Sequence, residues 1–238
     1  MLNLIISSVL TIYLYSGYGL LINKKREIDL TFYSEIIIFG SIILSLISLL
    51  VNFVLPLSKI INTCLFIILI FPLFKFRNYF FNKKYIIFLL ITTSIVILLL
   101  FGSHAYRPDA GLYHLPYIKI LNTEKIIFGL TNFHFRFGHV SIIQYLSAIN
   151  YNIFSGFNGI VIPSALIAVS VILNFLAKIR NHILDKNFNF HFYFLLGVLV
   201  YIFIKMNRYS EYGNDAPAHF LTFFLFSEFL KLKIEKIK

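Results

Sequence analysis

The residues able to do chemistry fall into two stretches. The first reads Gly102-Ser-His-Ala-Tyr-Arg-Pro-Asp-Ala-Gly-Leu-Tyr-His-Leu-Pro-Tyr117 and continues through Thr131-Asn-Phe-His-Phe-Arg-Phe-Gly-His139. It holds Arg107, Asp109 and Arg136, and four of the seven histidines: His104, His114, His134 and His139. The second stretch runs from Lys205 to His219 and adds Arg208, Glu211, Asp215 and His219. Acidic residues are the sharper marker, because the whole chain has only ten. Glu124, within Asn122-Thr-Glu-Lys125, reads as a solvated turn. That leaves Asp109, Glu211 and Asp215, each beside a basic or histidine residue.

A carboxylate that can take a proton, placed beside cations that can hold a departing phosphate, suits transfer of a group from a phosphate ester to an acceptor. Hydrolysis of a glycosidic bond would usually call for two carboxylates flanking the bond, one of them protonated. One Asp beside Arg107 and His114, with a second acidic pair beside Arg208, fits transfer from a lipid phosphate at least as well. The pair Glu211 and Asp215 offers hard oxygen ligands for a divalent cation such as Mg or Mn. Structural roles compete at every position. Asp109 after Pro108 suits a helix N-cap, and Glu211 and Asp215 suit a salt bridge to Arg208 or plain solvation. His134 and His139 suit hydrogen-bonded anchors in an aromatic interfacial stretch. Neither HxH nor HxxxH spacing occurs, which argues against zinc.

The elements that must position these residues are apolar. The 238 residues are 59% hydrophobic and 13% charged, with a mean hydropathy of +0.83, outside the range of a domain with a polar exterior. Runs near the length needed to cross a bilayer recur with short polar breaks, whereas the short alternating strands of a membrane barrel are missing. The expected fold class is an all-α polytopic transmembrane bundle of about seven spans. The runs are Leu2 to Ile22, Ile36 to Leu57, Ile60 to Phe74, Tyr85 to Phe101, Phe157 to Ala177, Phe190 to Ile204 and Pro217 to Leu230. The first has no basic start and no small-residue cleavage site, so it reads as a retained span. The net charge of +11 is spread in short clusters between apolar runs, so nucleic acid is not an expected partner. Cys64, the only cysteine, excludes an internal disulfide.

An eighth run, His139 to Phe154, decides the topology. If it crosses, nine of the 21 Lys and Arg lie inside; if it does not, fourteen do, in better agreement with the positive-inside bias. Ile142, Leu146, Ile149 and Ile153 share one helical stripe and Ser141, Gln144, Ser147 and Asn150 fall away from it, the pattern of a helix lying in the interface. The expectation is therefore an N-terminus outside, a C-terminus inside, and two outer loops, 102–155 and 205–216. Residues 1–84 would form three N-terminal spans, and residues 85–238 a module carrying both loops.

This arrangement resembles the GT-C class of membrane glycosyltransferases, which carry an acidic residue in a long external loop with interfacial helices and often more acidic residues in the next. Asp109 in Arg-Pro-Asp-Ala-Gly-Leu-Tyr-His-Leu-Pro matches the first position; Glu211 and Asp215 in Glu-Tyr-Gly-Asn-Asp match the second. The resemblance covers about Tyr85 to Leu230 and is architectural more than sequential. The class usually places its first acidic loop directly after the first span, whereas here three spans precede the module that begins at Tyr85, so a reduced member or a fragment is also open. The resemblance implies an inverting transfer of a sugar from a polyprenyl-phosphate donor to an external glycan, lipid or protein. Asp109 would be base or metal ligand; Arg107, His114 and Arg208 would contact phosphate; Glu211 and Asp215 would contact a metal or the acceptor. It also implies an integral protein of the plasma membrane, the inner one if bacterial. Competing readings are a handler of lipid-linked glycans of the polymerase type, a transporter, and a non-catalytic subunit with a membrane-protein partner.

Overall fold

The computed structural model describes residues 2–22, 29–68, 71–102, 108–138, 141–205 and 212–235. Among these, every regular element is a helix: α1 (Leu2–Ile22), α2 (Leu30–Val54), α3 (Lys59–Ile68), α4 (Phe71–Lys75), α5 (Arg77–Phe80), α6 (Lys83–Gly102), α7 (Leu115–Thr123), α8 (Ile142–Ile149), α9 (Ile162–Leu184), α10 (Phe190–Lys205) and α11 (Asp215–Glu235). Four stretches, Leu2–Ile22, Leu30–Val54, Lys83–Phe101 and Gly156–Leu184, are long and apolar enough to cross a membrane. On that physical ground the protein is a membrane protein. The other three runs expected to cross are not among these four. Among the described residues α3 has 10 residues and borders residues 69–70, which lie outside them, and α10 has 16, about 15 and 24 Å of helix against roughly 30 Å of hydrocarbon. α11 has the length but carries Asp215, Glu228, Lys231 and Lys233.

The distribution of side chains is that of a bundle solvated by lipid. Leu50, Phe53, Val54, Leu90, Leu98 and Phe203 face outward, while Ser7, Ser8, Thr11, Ser41, Ser45 and Ser48 are buried. Lipid removes the hydrophobic drive between helices, so association depends on close packing, and small residues permit it. The α1–α2 pair uses this fully. A Cβ on Gly19 would lie 1.8 Å from the Ile36 carbonyl oxygen, and one on Gly40 would lie 1.7 Å from that of Tyr15. Only glycine fits either contact. α2 then packs on α9 and α8, and α9 on α6, α10 and α11.

Asparagines stitch the loop between α7 and α9 to this bundle. Asn52, at the end of α2, donates to the Glu124 carbonyl at 3.0 Å. The Asn62 amide nitrogen on α3 lies 2.7 Å from Leu57 O and 2.8 Å from both Ala148 O and Tyr151 O. Asn150 Nδ2 reaches the Tyr15 hydroxyl at 2.9 Å, and Thr11 Oγ1 donates to Asn150 Oδ1 at 3.1 Å. The first ends of α1, α9 and α11 and the last end of α2 therefore share one end of the bundle with the loop.

α8 differs from the helix read from the sequence in where it lies, not in whether it crosses. It has eight residues, about 12 Å of rise, too few to cross. It also does not lie on the surface: residues 143–150 are all buried, the polar Gln144, Ser147 and Asn150 together with Leu146 and Ile149 of the apolar stripe. Both faces are enclosed, and the polar one can be because Gln144 and Asn150 have partners in His114, Tyr15 and Thr11; buried polar groups that are hydrogen-bonded carry little penalty. The exposed aromatics of this region lie earlier, at Phe128, Phe133 and Phe135, where an interfacial stretch would have them.

Candidate functional site

Pro116 shapes the site. A proline inside a helix cannot donate to the carbonyl four residues back, and its ring crowds that carbonyl. The chain answers with a wider turn over Ala110–His114, in which the Leu115 N–H bonds the Ala110 carbonyl five residues back. Such π turns are commonest at functional sites. This one carries Asp109 at its start and Tyr113 and His114 at its end.

Asp109 makes no capping hydrogen bond, so the N-cap role is not the one its side chain takes. Its Oδ1 accepts from Arg136 Nη1 at 2.6 Å, with the Asp109 side chain about half exposed. The Arg136 guanidinium also lies 5.1 Å from the Tyr113 ring centre and 5.8 Å from that of Phe135, a stacking that holds the guanidinium plane in place. Arg136 lies in a short 3₁₀ turn, Phe135–Gly138, and Gly129, with a φ of 79°, turns the preceding chain in the left-handed conformation that glycine tolerates.

His114 is buried beside this ion pair. Its tautomer follows from Gln144. Ser141 caps α8, and Gln144 closes the capping box by accepting the Ser141 N–H on Oε1 at 3.2 Å. The amide nitrogen of Gln144 is thereby directed at His114 Nδ1, 3.3 Å away. Nδ1 accepts, so the ring proton sits on Nε2. Nε2 faces the second polar segment: a Cβ on Gly213 would lie 3.1 Å from it. Burial lowers the His114 pKa, partly opposed by the carboxylates of Asp215 and Asp109 and assisted by Arg136. His114 is thus a neutral N–H donor near neutral pH. Burial raises the Tyr113 pKa, with Asp109 and Asp215 adding to the rise and the Arg136 charge and hydrogen bond opposing it. Both rings feel Asp215, which opens α11.

The structure therefore brings Asp109, His114 and Asp215 of the expected set into one neighbourhood. Arg107, Arg208 and Glu211 lie outside the described residues. Arg136 and Gln144 supply what the sequence reading did not assign. The signal for Arg136 was a cation in the same loop, but no spacing ties it to a carboxylate 27 positions earlier. Gln144 was visible only as a polar residue on a presumed surface face. For a divalent cation, the described residues contain no group of three His, Cys, Asp or Glu placed to hold one. Asp109 already has its charge matched by Arg136, so no step below is routed through a metal.

A cavity of about 730 Å³ adjoins the π turn. Gly111, Leu115 and Pro116 form one wall and Phe157 and Ile160 another, with Lys59 and Lys119 in the lining. Lys59 Nζ lies 5.7 Å from the centre of the Tyr151 ring. An apolar hollow bearing ammonium groups suits an amphiphile with an anionic head.

Neither a curated protein nor a solved structure matches the chain. A profile described as a domain of unknown function, DUF8201, matches residues 1–238, and the chain therefore belongs to the DUF8201 family.

Proposed function

We propose that this protein is a membrane glycosyltransferase that moves a sugar from a polyprenyl-phosphate donor to an external glycan, lipid or protein acceptor, in the manner of the GT-C class. The observation that carries the reading is the meeting of Asp109, Arg136, His114 and the start of α11 at one end of an apolar bundle, beside a cavity suited to an anionic lipid. The acceptor hydroxyl attacks the anomeric carbon and gives its proton to Asp109. The bond from that carbon to the phosphate oxygen breaks, and the phosphate leaves with the electron pair and with inversion at carbon. Arg136 and the Nε2–H of His114 meet the growing negative charge. Arg107 and Arg208 are further phosphate contacts in this reading. Asp215 and Glu211 serve the acceptor or a divalent metal, Mg or Mn.

The same reading includes seven spans, with α3 and its continuation, α10 and α11 completing the set. It puts the N-terminus outside, the C-terminus inside, and the protein in the plasma membrane, which is the inner membrane in a bacterium. Charge supports that orientation: with these spans fourteen of the 21 Lys and Arg fall on the inner side.

The test is transfer of radiolabelled sugar from a polyprenyl-phosphate sugar in proteoliposomes holding the wild type or Asp109→Asn. Loss of a general base costs about 10²- to 10⁴-fold, so the variant should lose at least that lower factor. Equal transfer by both, or none by either over a set of donors, overturns the reading. A second reading, a transporter, draws on one observation: Lys178 of α9 is buried and pairs with Glu228 of α11, and ionisable groups within spans often mark transport paths. Uptake of a solute that persists in Asp109→Asn and fails in Lys178→Met would favour it.

A further inference from the structure

The end of the bundle remote from Asp109 holds a second polar cluster, on residues the proposed transfer does not use. Glu228 follows Asp215 by thirteen residues on one helix, about 20 Å of rise. There Lys178 Nζ pairs with Glu228 Oε1 and lies 3.4 Å from Ser227 Oγ. Ser227 Oγ is 3.0 Å from His191 Nε2, His191 Nδ1 is 3.0 Å from His182 Nε2, and His182 Nδ1 is 2.9 Å from the Asn187 carbonyl oxygen. Lys178, His191 and Ser227 are buried. The chain of contacts joins α9, α10, α11 and the turn between α9 and α10.

Its two ends set its direction. A carbonyl oxygen only accepts, and an ammonium only donates. His182 must therefore donate from Nδ1 to Asn187; while neutral, it accepts on Nε2. His191 then donates from Nδ1 and accepts on Nε2 from the Ser227 hydroxyl. The Ser227 oxygen accepts from Lys178. Every group gives one hydrogen and takes one, with both imidazoles neutral.

We propose that His182 and His191 form a proton-binding site that takes up a single proton by reversing this chain. With one added proton, His182 donates from both nitrogens, His191 accepts on Nδ1 and donates from Nε2, and the Ser227 oxygen accepts. The ring-to-ring, His182–Asn187 and Lys178–Ser227 contacts survive, the His191–Ser227 contact reverses, and the Ser227 hydroxyl hydrogen turns away from His191. A second proton would set N–H against N–H between the rings, so the capacity is one. Burial opposes a charge on His191, as do Lys178, His182 and Lys231, while Glu228 favours it; His191 therefore stays neutral in the protonated pair and the charge rests on His182. Glu35 of α2 is buried and its charge acts on Lys178. The reversal turns the Ser227 hydroxyl from donor to acceptor towards His191, next to the Lys178–Glu228 pair that ties α9 to α11.

The experiment is a titration of the full chain, labelled with ¹⁵N-histidine, in detergent micelles between pH 8 and 5. In the wild type, the His191 Nε2 resonance should change from unprotonated to protonated in the same pH interval in which His182 Nε2 does so, with one proton taken up by the pair. In His182→Gln that coupled step should be lost, while Ser227→Ala should keep the ring-to-ring coupling and shift its midpoint. Independent titration of the two rings, two protons taken up, or an unchanged His191 step in His182→Gln would each overturn the proposal. None of these outcomes depends on whether the protein transfers sugars.

Discussion

Gln144 and His114 are bound in one orientation: the amide nitrogen of Gln144 lies 3.3 Å from His114 Nδ1 because the amide oxygen is held by the Ser141 N–H at 3.2 Å. A helix cap on α8 thus sets which nitrogen of a histidine in another segment carries the proton. Replacing Gln144 by Glu should reverse the bond, since a carboxylate only accepts and Nδ1 would then be protonated. An adjacent carboxylate favours the charged imidazolium and so raises the histidine pKa. Histidine ¹⁵N spectra of Gln144→Glu should show His114 charged at a pH where the wild-type ring is neutral.

The pH dependence of stability has a defined sign at His114. Burial lowers its folded pKa below the ordinary value of 6.5, so the unfolded chain binds the proton more readily. The contribution of the neutral ring is complete above the unfolded pKa and is lost as pH falls through 6.5 toward the lower folded value. Thermal unfolding in micelles should show a Tm that falls on acidification, and His114→Gln should reduce that fall. An identical slope in the variant would assign the acid sensitivity to other groups.

Two glycines should separate close packing from simple helix propensity. Gly40→Ala places a methyl 1.7 Å from the Tyr15 carbonyl oxygen, and α1 must move off α2. A loss of about 1–3 kcal/mol, the usual cost of overpacking, should appear as a lower Tm or poor recovery of folded protein. Gly197→Ala on α10 meets nothing within 4 Å, so it should be neutral or gain about 0.5–1 kcal/mol.

Arg136 should matter more to activity than to stability. Its bond to Asp109 joins two side chains that are 37% and 54% exposed, and such pairs contribute up to about 1 kcal/mol. Arg136→Lys keeps the charge but loses the planar stacking on Tyr113. If the proposed chemistry is right, Arg136→Gln should cut sugar transfer about 10²-fold or more, with Tm little changed and Arg136→Lys intermediate. A large drop in Tm with transfer preserved per folded molecule would make Arg136 a structural residue.

Asn62 should behave in the opposite way. Its amide serves carbonyls from the α2–α3 connection and from the end of α8. Asn62→Leu leaves buried acceptors without that donor, at about 1–3 kcal/mol for each one unsatisfied. Stability should fall because the side chain is 0% exposed, and transfer per folded molecule should be unchanged because it has no part in the proposed chemistry.

Composition and hydropathy alone determined that the chain is helical and belongs in a membrane. The helices at Leu2–Ile22 and Lys83–Gly102 lie close to their apolar runs, because lipid admits a span only when about 20 successive residues are apolar. The two polar stretches were equally legible, since charge is so sparse in this chain that Asp109 and Asp215 stand out. Partners were not. Arg136 reaches Asp109, and Asn150 reaches Tyr15 from 135 positions away, through folding back of the loop, which no local spacing encodes. The direction of α8 was decided the same way. Its apolar stripe by itself predicts a helix floating on its greasy side, but hydrogen-bond partners on α1 and the π turn let the polar side be buried as well as the apolar one. The contacts of Lys178 with Glu228 and Ser227 likewise exist only because α9 and α11 pack together. Sequence period reports which residues share a face; what that face meets depends on neighbours brought together by the fold.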